Sequence, residues 1–351
     1  MPLTVTTDSG RPFRLTERIG GGAEGEVYAV DDGRALVAKL VPDPPDPDAY
    51  RRRLAGLVRQ RREPRTVRLL AGSPPRVAWP LVAVHVRHPG GRRIDGYVMP
   101  DMRAAFAPFP RLLSPAAVAG GASAVGTGPT WVTALAAARS LAELLAGLHA
   151  EGYVVGDLKP ENLWADGSGL VGLADVDSWQ FTDGAEVFPG RMRSPGYTAP
   201  ERFGSGAAPP DRASDAFALA VLVHQLLMAG LHPYAGHPGD GTDFRSLDDN
   251  VQNGRCRLTD RGSVVLPRSV PPADLLPRRL TALFRAAFGG ERPEAAVWAA
   301  ELTAAAAPER LAVCARNARH VHTVERPWCP WCDQAARGAD SYPAGGAAGR
   351  T

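Results

Sequence analysis

Val154-Val155-Gly156-Asp157-Leu158-Lys159-Pro160-Glu161-Asn162-Leu163 brings a carboxylate, an ammonium and an amide into one short loop, and Leu173-Ala174-Asp175 sets a second carboxylate after an apolar strand. Phosphoryl transfer to a hydroxyl calls for these residue types. It asks for little covalent help, but it needs an in-line acceptor, a group that orients the hydroxyl, and cations that offset charge on the phosphate oxygens. Asp157 can orient the hydroxyl, Lys159 can neutralise the phosphate, and Asn162 with Asp175 can hold magnesium. A turn containing Pro and Asp is also an ordinary structural element. That plainer reading leaves the patterns upstream and downstream without explanation.

The chain of 351 residues carries 40 basic and 37 acidic side chains, a net charge of +3, and so lacks the footprint of a nucleic-acid binder. Its length exceeds one average domain and implies a large two-lobed unit or two domains, with enough chain to bury a sizeable core. Met1 to Gly10 is polar and shows no secretory pattern. The most apolar run, Ala216 to Leu231, contains His224 and Gln225 and is shorter than the about 20 residues of a bilayer span. The expectation is a soluble, cytoplasmic protein with no membrane partner. Three of the four cysteines lie near the C-terminus, a usage that suits a reducing compartment and a metal site better than a disulfide framework.

Upstream, Ile19-Gly20-Gly21-Gly22-Ala23-Glu24-Gly25-Glu26-Val27 fits G-x-G-x-x-G-x-V at Gly20, Gly22, Gly25 and Val27, between two short alternating strands. Such glycines let backbone amides approach phosphates, with Val27 over a purine ring, although glycine turns also link ordinary hairpins. The strand Ala35-Leu36-Val37-Ala38-Lys39-Leu40 carries one charge in an apolar run. A buried lysine needs partners, so Lys39 is expected to meet phosphates and a carboxylate. A basic helix follows over 48–62, then Glu63, the only glutamate between Glu26 and Glu143. Val77 to Val84 and Gly96 to Met99 read as strands joined by a Gly90-Gly91 turn. Ser114 to Pro129 is an Ala/Gly/Ser-rich insertion, and Thr130 to Ala150 has the apolar spacing of a long core helix. An apolar helix starts near Ser214, a plausible cap, and Cys256 reads as a small buried residue.

At the C-terminus Cys314, His320, Cys329 and Cys332 follow C-x5-H-x8-C-x2-C, with His322 competing for the second place. These soft S and N ligands suit structural zinc, whose binding could supply folding energy to a segment too short for a core of its own.

Together these motifs resemble the protein kinases, in particular a bacterial branch of Ser/Thr kinases with a C-terminal Cys/His element ending in Cys-Pro-Trp-Cys. The resemblance covers about residues 12–334 and includes Ala78-Trp79-Pro80, Val98-Met99-Pro100, Asp175-Val176-Asp177-Ser178, Ala199-Pro200-Glu201 and Gly230-Leu231-His232-Pro233. It implies an α+β, two-lobed protein-kinase-like fold: a small β-rich N-lobe over 12–101, a large helical C-lobe over 102–306, a zinc-ribbon-like element over 307–334, and a disordered tail over 335–351. It implies ATP with Mg2+ as cofactors. Gly20, Gly21, Gly22, Gly25, Val27, Ala38 and Lys39 would surround the nucleotide, Met99 would be the gatekeeper, and Pro100-Asp101-Met102 the hinge between lobes. Glu63 would pair with Lys39, although Pro64 can break a helix there and a solvated charge on an arginine-rich face is the plainer alternative. Ser194 would bond Asp157 and Lys159 and so point to Ser or Thr acceptors. Asp215 would bond the backbone of the catalytic loop, and Glu201 would pair with Arg292. Two departures stand out: Val155-Gly156 replaces the usual His-Arg, and Val176-Asp177 replaces the usual Phe-Gly. An active Ser/Thr protein kinase and a nucleotide-binding pseudokinase scaffold both remain open. Protein substrates, a von Willebrand A-type protein and a PP2C-type phosphatase are the partners that the resemblance implies.

Overall fold

The computed structural model describes residues 3–22, 25–87, 91–119, 128–259 and 264–344. The chain divides into two units, Met1–Phe106 with Gly172–Phe188, and Ala107–Val171 with Pro189–Thr351.

The first unit is built on a closed antiparallel barrel of β1 (Leu3–Thr6), β2 (Pro12–Gly22), β3 (Gly25–Val30), β4 (Leu36–Val41), β5 (Val82–Arg87) and β6 (Arg93–Pro100), in the order β1-β2-β3-β4-β6-β5. Side chains alternate across each strand, so Leu36, Ala38 and Leu40 of β4 point inward and join Val5, Phe13, Leu15, Val84 and Val98 in one core. Val5 is fully buried, and Thr6 pairs with His85 to close the barrel. The expected lobe boundary at residue 12 therefore falls too late: the polar N-terminus hides a four-residue strand whose two inward residues, Leu3 and Val5, give a hydropathy reading little to find. Residues 88–90 of the expected Gly90-Gly91 turn lie outside the described residues.

Helix α1 (Pro47–Gln60) starts at Asp46, whose side chain accepts a hydrogen bond from Ala49 N at 2.9 Å, with Pro47 at the first helical position. The chain turns, then α2 (Pro64–Leu70) begins. The residue before a proline is pushed out of helical geometry, and Glu63, at ψ 135°, is extended and exposed. The inner face of α1 lies against the segment after Asp175. Gly56 packs on Phe181 and Phe188, whose rings stack at 4.7 Å, and Trp79 Nε1 donates to Leu57 O at 2.9 Å.

The second unit is helical: α3 (Pro110–Leu113), α4 (Pro115–Ala119), α5 (Trp131–Ala150), α6 (Arg212–Leu227), α7 (Leu247–Gln252), α8 (Arg278–Gly289), α9 (Ala295–Ala305) and α10 (Pro330–Ala336). Most of the expected insertion, residues 120–127, lies outside the described residues. Among those described, α5 is the one helix long and apolar enough to cross a membrane by length and composition. Here it is a core helix. Its buried Leu135, Leu141, Leu145 and Leu148 are packed by α6 and α9, at about 1.5–3 kcal/mol for each buried side chain. Asp211, not Ser214, caps α6. Asp211 accepts from Ser214 N at 2.7 Å, and Ser214 Oγ accepts from Asp211 N at 3.0 Å, a reciprocal box that places Ser214 inside the first turn.

The hairpin Leu311–Cys314/Asn317–Thr323 and α10 complete the unit. Ordered chain runs past the expected tail boundary at 335, because Tyr342 is buried edge-on against Trp331 at 4.7 Å. Residues 345–351 of that tail lie outside the described residues.

Candidate functional site

In the first unit the register places Val27 opposite Lys39, Lys39 opposite Tyr97, and Val37 opposite Met99. Residues directly opposite share a face, so Val27, Val37, Lys39, Tyr97 and Met99 form one wall, on the other side of the sheet from the barrel core. Ala38 belongs to the opposite face and is fully buried in the barrel core, so it does not stand on the wall with Lys39 as expected; the residue of β4 that does is Val37. Gly25 has φ +130°, and a Cβ there would come within 2.5 Å of Leu40 O, so only glycine fits at the exit of the glycine hairpin. Gly20 and Gly22 have open space above them, while Gly21 lies under Arg18; Ala23 and Glu24 lie outside the described residues. Asp101 caps the short turn Met102–Ala104 and pairs with Arg103 at 2.8 Å, and buried Met102 packs against Gly172.

Lys39 is 6 % exposed. Its Nζ bonds the carboxylate of Asp175 and, at 2.9 Å, Oδ1 of Asp177. Asp175 adopts the left-handed conformation, φ 61°, and opens a single turn over Val176–Ser178 that brings the second carboxylate to the same ammonium. Tyr97 OH donates to Asp177 Oδ1 at 2.7 Å and Tyr50 OH to Oδ2 at 3.2 Å. Burial works against the charged ammonium, yet the carboxylates of Asp177 and then Asp175 outweigh it and hold Lys39 above the usual lysine range. Burial, then Asp177, pushes both phenols well above their usual value, so they remain donors. Glu63, expected as the partner of Lys39, is exposed outside α1; among the described residues the carboxylates on Lys39 are those of Asp175 and Asp177. The signal that could have pointed to Tyr97 is its two-residue spacing from Met99 on one strand. Tyr50 left no such trace.

In the second unit the loop after α5 holds Asp157, 4 % exposed. Ser194 Oγ donates to Asp157 Oδ1 at 2.6 Å, the first of its two expected bonds, and Lys159 Nζ lies 2.7 Å from Asp157 Oδ2, so that lysine meets the carboxylate directly. Asn162 Nδ2 donates to Asp157 O at 3.0 Å. A carboxylate with an ammonium and a hydroxyl on its two oxygens is fixed in orientation and can accept a proton from an incoming alcohol. The expected support from Asp215 is present: it accepts from Val155 N and Gly156 N, both at 2.8 Å, with His149 Nε2 3.0 Å away. Gly156 sits at φ +74° with Pro210 3.0 Å from where a Cβ would be, so an arginine at this place, where the resemblance leads one to expect it, would be strained. The Glu201–Arg292 pair forms at 2.8 Å.

Asp215 is 1 % exposed, and in Asp215→Asn an amide nitrogen would face backbone N–H groups. That exchange is expected to destabilise the protein by about 2–4 kcal/mol, read as a lower urea midpoint at unchanged slope. An unchanged midpoint would show that the loop does not depend on this carboxylate.

Cys314, His320, Cys329 and Cys332 bring their ligand atoms within 4.8 Å of one another. His320 Nδ1 lies 3.4 Å from Cys332 Sγ and 3.6 Å from Cys329 Sγ, while His322 bonds Thr323 O at 2.9 Å and stands outside the group. Arg316 N and Cys332 N point at the sulfurs of Cys314 and Cys329, at 3.4 and 3.5 Å, as amides do in a thiolate knuckle. Asp340 Oδ1 is 3.4 Å from His320 Nε2, the place of the carboxylate that orients a metal-bound imidazole. Three sulfurs and one nitrogen at this separation fit tetrahedral zinc.

Residues 131–273 match the protein kinase domain family. The structure is similar to the ROP18 kinase domain in complex with AMP-PNP and sucrose, with a TM-score of 0.53 at 18% identity over 87% of this chain and 85% of that one. The fold is that of the protein kinases. Within that fold, the chain is 28% identical over 348 residues to protein kinase YegI of Escherichia coli K12, across 94% of this chain and 50% of YegI. It is 37% identical over 117 residues to the serine/threonine-protein kinase PkaB of Streptomyces coelicolor, across 30% of this chain and 27% of PkaB. The chain thus spans about half the length of YegI. The kinase fold places Lys39, Asp175 and Asp177 in one unit and Asp157, Lys159, Asn162 and Ser194 in the other.

Proposed function

We propose that this protein is an ATP-dependent serine/threonine protein kinase. In this reading Lys39 binds the α- and β-phosphates beneath the Gly20–Gly25 hairpin, and Asn162 and Asp175 are the magnesium ligands. Bound magnesium supplies charge neutralisation on the phosphate oxygens. Asp157 orients the acceptor hydroxyl and receives its proton as the new O–P bond forms and the bond to the β-phosphate oxygen breaks, with ADP leaving. Lys159 offsets charge on the γ-phosphate. The observation that carries the reading is Asp157 clamped between Lys159 and Ser194 on a loop tied to Asp215. Acceptor choice rests on Ser194 and Lys159, and a cytoplasmic location on the reduced cysteine set. Zinc at Cys314, His320, Cys329 and Cys332 belongs to the same proposal.

A second reading, a nucleotide-binding scaffold without transfer, is favoured by one observation: the ammonium of Lys39 is already engaged by two carboxylates. Transfer of labelled γ-phosphate from ATP with magnesium separates the two. The kinase reading expects phosphoserine or phosphothreonine on the protein itself or a generic acceptor, falling at least about tenfold in Lys39→Ala and in Asp175→Ala. ATP binding with no transfer by the unaltered protein would instead establish the scaffold.

A further inference from the structure

The single acid of α1, Asp48, has its side chain 75% exposed and bound to Arg51, so the helix offers no carboxylate to Lys39. What α1 presents there is a phenol, Tyr50, bonded to Asp177. We propose that Asp177 is the positioning residue for Lys39, replacing an acid on the helix, so that the ion pair is built into the segment after Asp175 and needs no inward movement of α1. This deepens the kinase reading of Lys39 and rests on it.

Both oxygens of Asp177 are taken by donors. Oδ1 receives Lys39 Nζ at 2.9 Å and Tyr97 OH at 2.7 Å, and Oδ2 receives Tyr50 OH at 3.2 Å. The side chain is 8% exposed, and a carboxylate surrounded in this way is a clamp for an ammonium and not a metal ligand in waiting. Helix α1 is fastened to the same segment along its length. Arg53 donates to Trp179 O, a Cβ on Gly56 would come within 3.1 Å of the Phe181 ring, and Gln60 Nε2 donates to Asp183 Oδ1 at 3.1 Å beside the Arg59–Asp183 pair. A helix held at three successive turns acts as a fixed wall behind Asp177, so the lysine clamp is already assembled with α1 in this position.

The test begins without nucleotide, by following acylation of Lys39 with a small activated ester by mass spectrometry. Asp177→Asn is expected to raise the rate about tenfold, the double variant Tyr50→Phe/Tyr97→Phe a few-fold, and Glu63→Ala not at all. The tyrosine pair removes two hydroxyls only and keeps the test alive if Asp177→Asn folds poorly. In transfer assays Asp177→Asn should lower kcat/KM for ATP about tenfold, add nothing further to Lys39→Met, and leave the magnesium requirement unchanged, whereas Asp175→Asn raises it. Additive losses in the double variant, a magnesium shift in Asp177→Asn matching that of Asp175→Asn, or an unchanged acylation rate would each overturn the proposal. Absence of transfer by the unaltered protein overturns the kinase reading and this inference with it. Transfer that depends on Lys39 but not on Asp177 overturns this inference alone.

Discussion

Asp157→Asn is expected to lower phosphoryl transfer about a hundred- to ten-thousand-fold while leaving ATP affinity within about twofold of the unaltered protein. The asymmetry follows from where Asp157 sits. Its oxygens face Ser194 Oγ and Lys159 Nζ, groups assigned here to the acceptor hydroxyl and the γ-phosphate, and the ATP-binding assignment falls on Lys39 and the glycine hairpin. An amide in place of the carboxylate keeps the volume but removes the proton acceptor. It also turns an N–H2 toward Lys159 or Ser194, so the loop loses one of its two anchors as well. Transfer rate and nucleotide affinity measured on the same preparation decide the matter. Full activity in Asp157→Asn would remove Asp157 from the chemistry, and a parallel collapse of ATP binding would mean that the substitution had disturbed the fold.

The second large effect concerns metal. The protein is expected to carry one zinc per chain, measured by plasma mass spectrometry after gel filtration, and Cys332→Ser is expected to lose it. The region over 311–344 buries few large side chains, among them Trp331, Tyr342 and Val321, and three thiol groups lie so close that without a cation between them they have little reason to converge. Structural zinc contributes about 10–16 kcal/mol in small metal-dependent folds, far more than those side chains provide. A chelator should therefore abolish amide-exchange protection over the hairpin Leu311–Cys314/Asn317–Thr323 before it affects α6, which has its own core. Zinc content unchanged in Cys332→Ser would sink the four-ligand centre. His322→Ala, by contrast, should keep the metal, since that ring bonds Thr323 O outside the cluster.

The helical unit was largely legible because its signals are local. The apolar spacing of α5, the Asp157-x-Lys159 loop and the cysteine spacing are each written within a few residues, although the same local reading puts the cap of α6 at Ser214 where the structure has Asp211. Asp215 and the Glu201–Arg292 pair were also placed correctly, but through resemblance, since no spacing rule connects residues 91 apart in sequence. The barrel side was read less well, for physical reasons. A four-residue strand with only Leu3 and Val5 facing inward gives too short a period to find. The resemblance implies a nucleotide contact for Ala38, whereas strand alternation puts it on the opposite face from its neighbour Lys39. Glu63 is the one glutamate between Glu26 and Glu143, but the extended geometry before Pro64 removes it from the helix. Asp177 was noticed as a departure, but its role depends on a left-handed turn at Asp175 and on two phenols contributed from elsewhere in the chain, and no linear pattern records that meeting.

Arg319, in the second strand of the hairpin Leu311–Cys314/Asn317–Thr323, donates to the carbonyls of Gly128 and Pro129, immediately before the Thr130 cap of α5. The first of these bonds joins residues 191 apart. At synthesis rates of roughly 5–20 residues per second, the start of the central helix leaves the ribosome about 10–40 s before the arginine that closes over it. The carbonyls that lead into α5 therefore wait for their side-chain donor until α6 and α9, which pack that helix, have already been made.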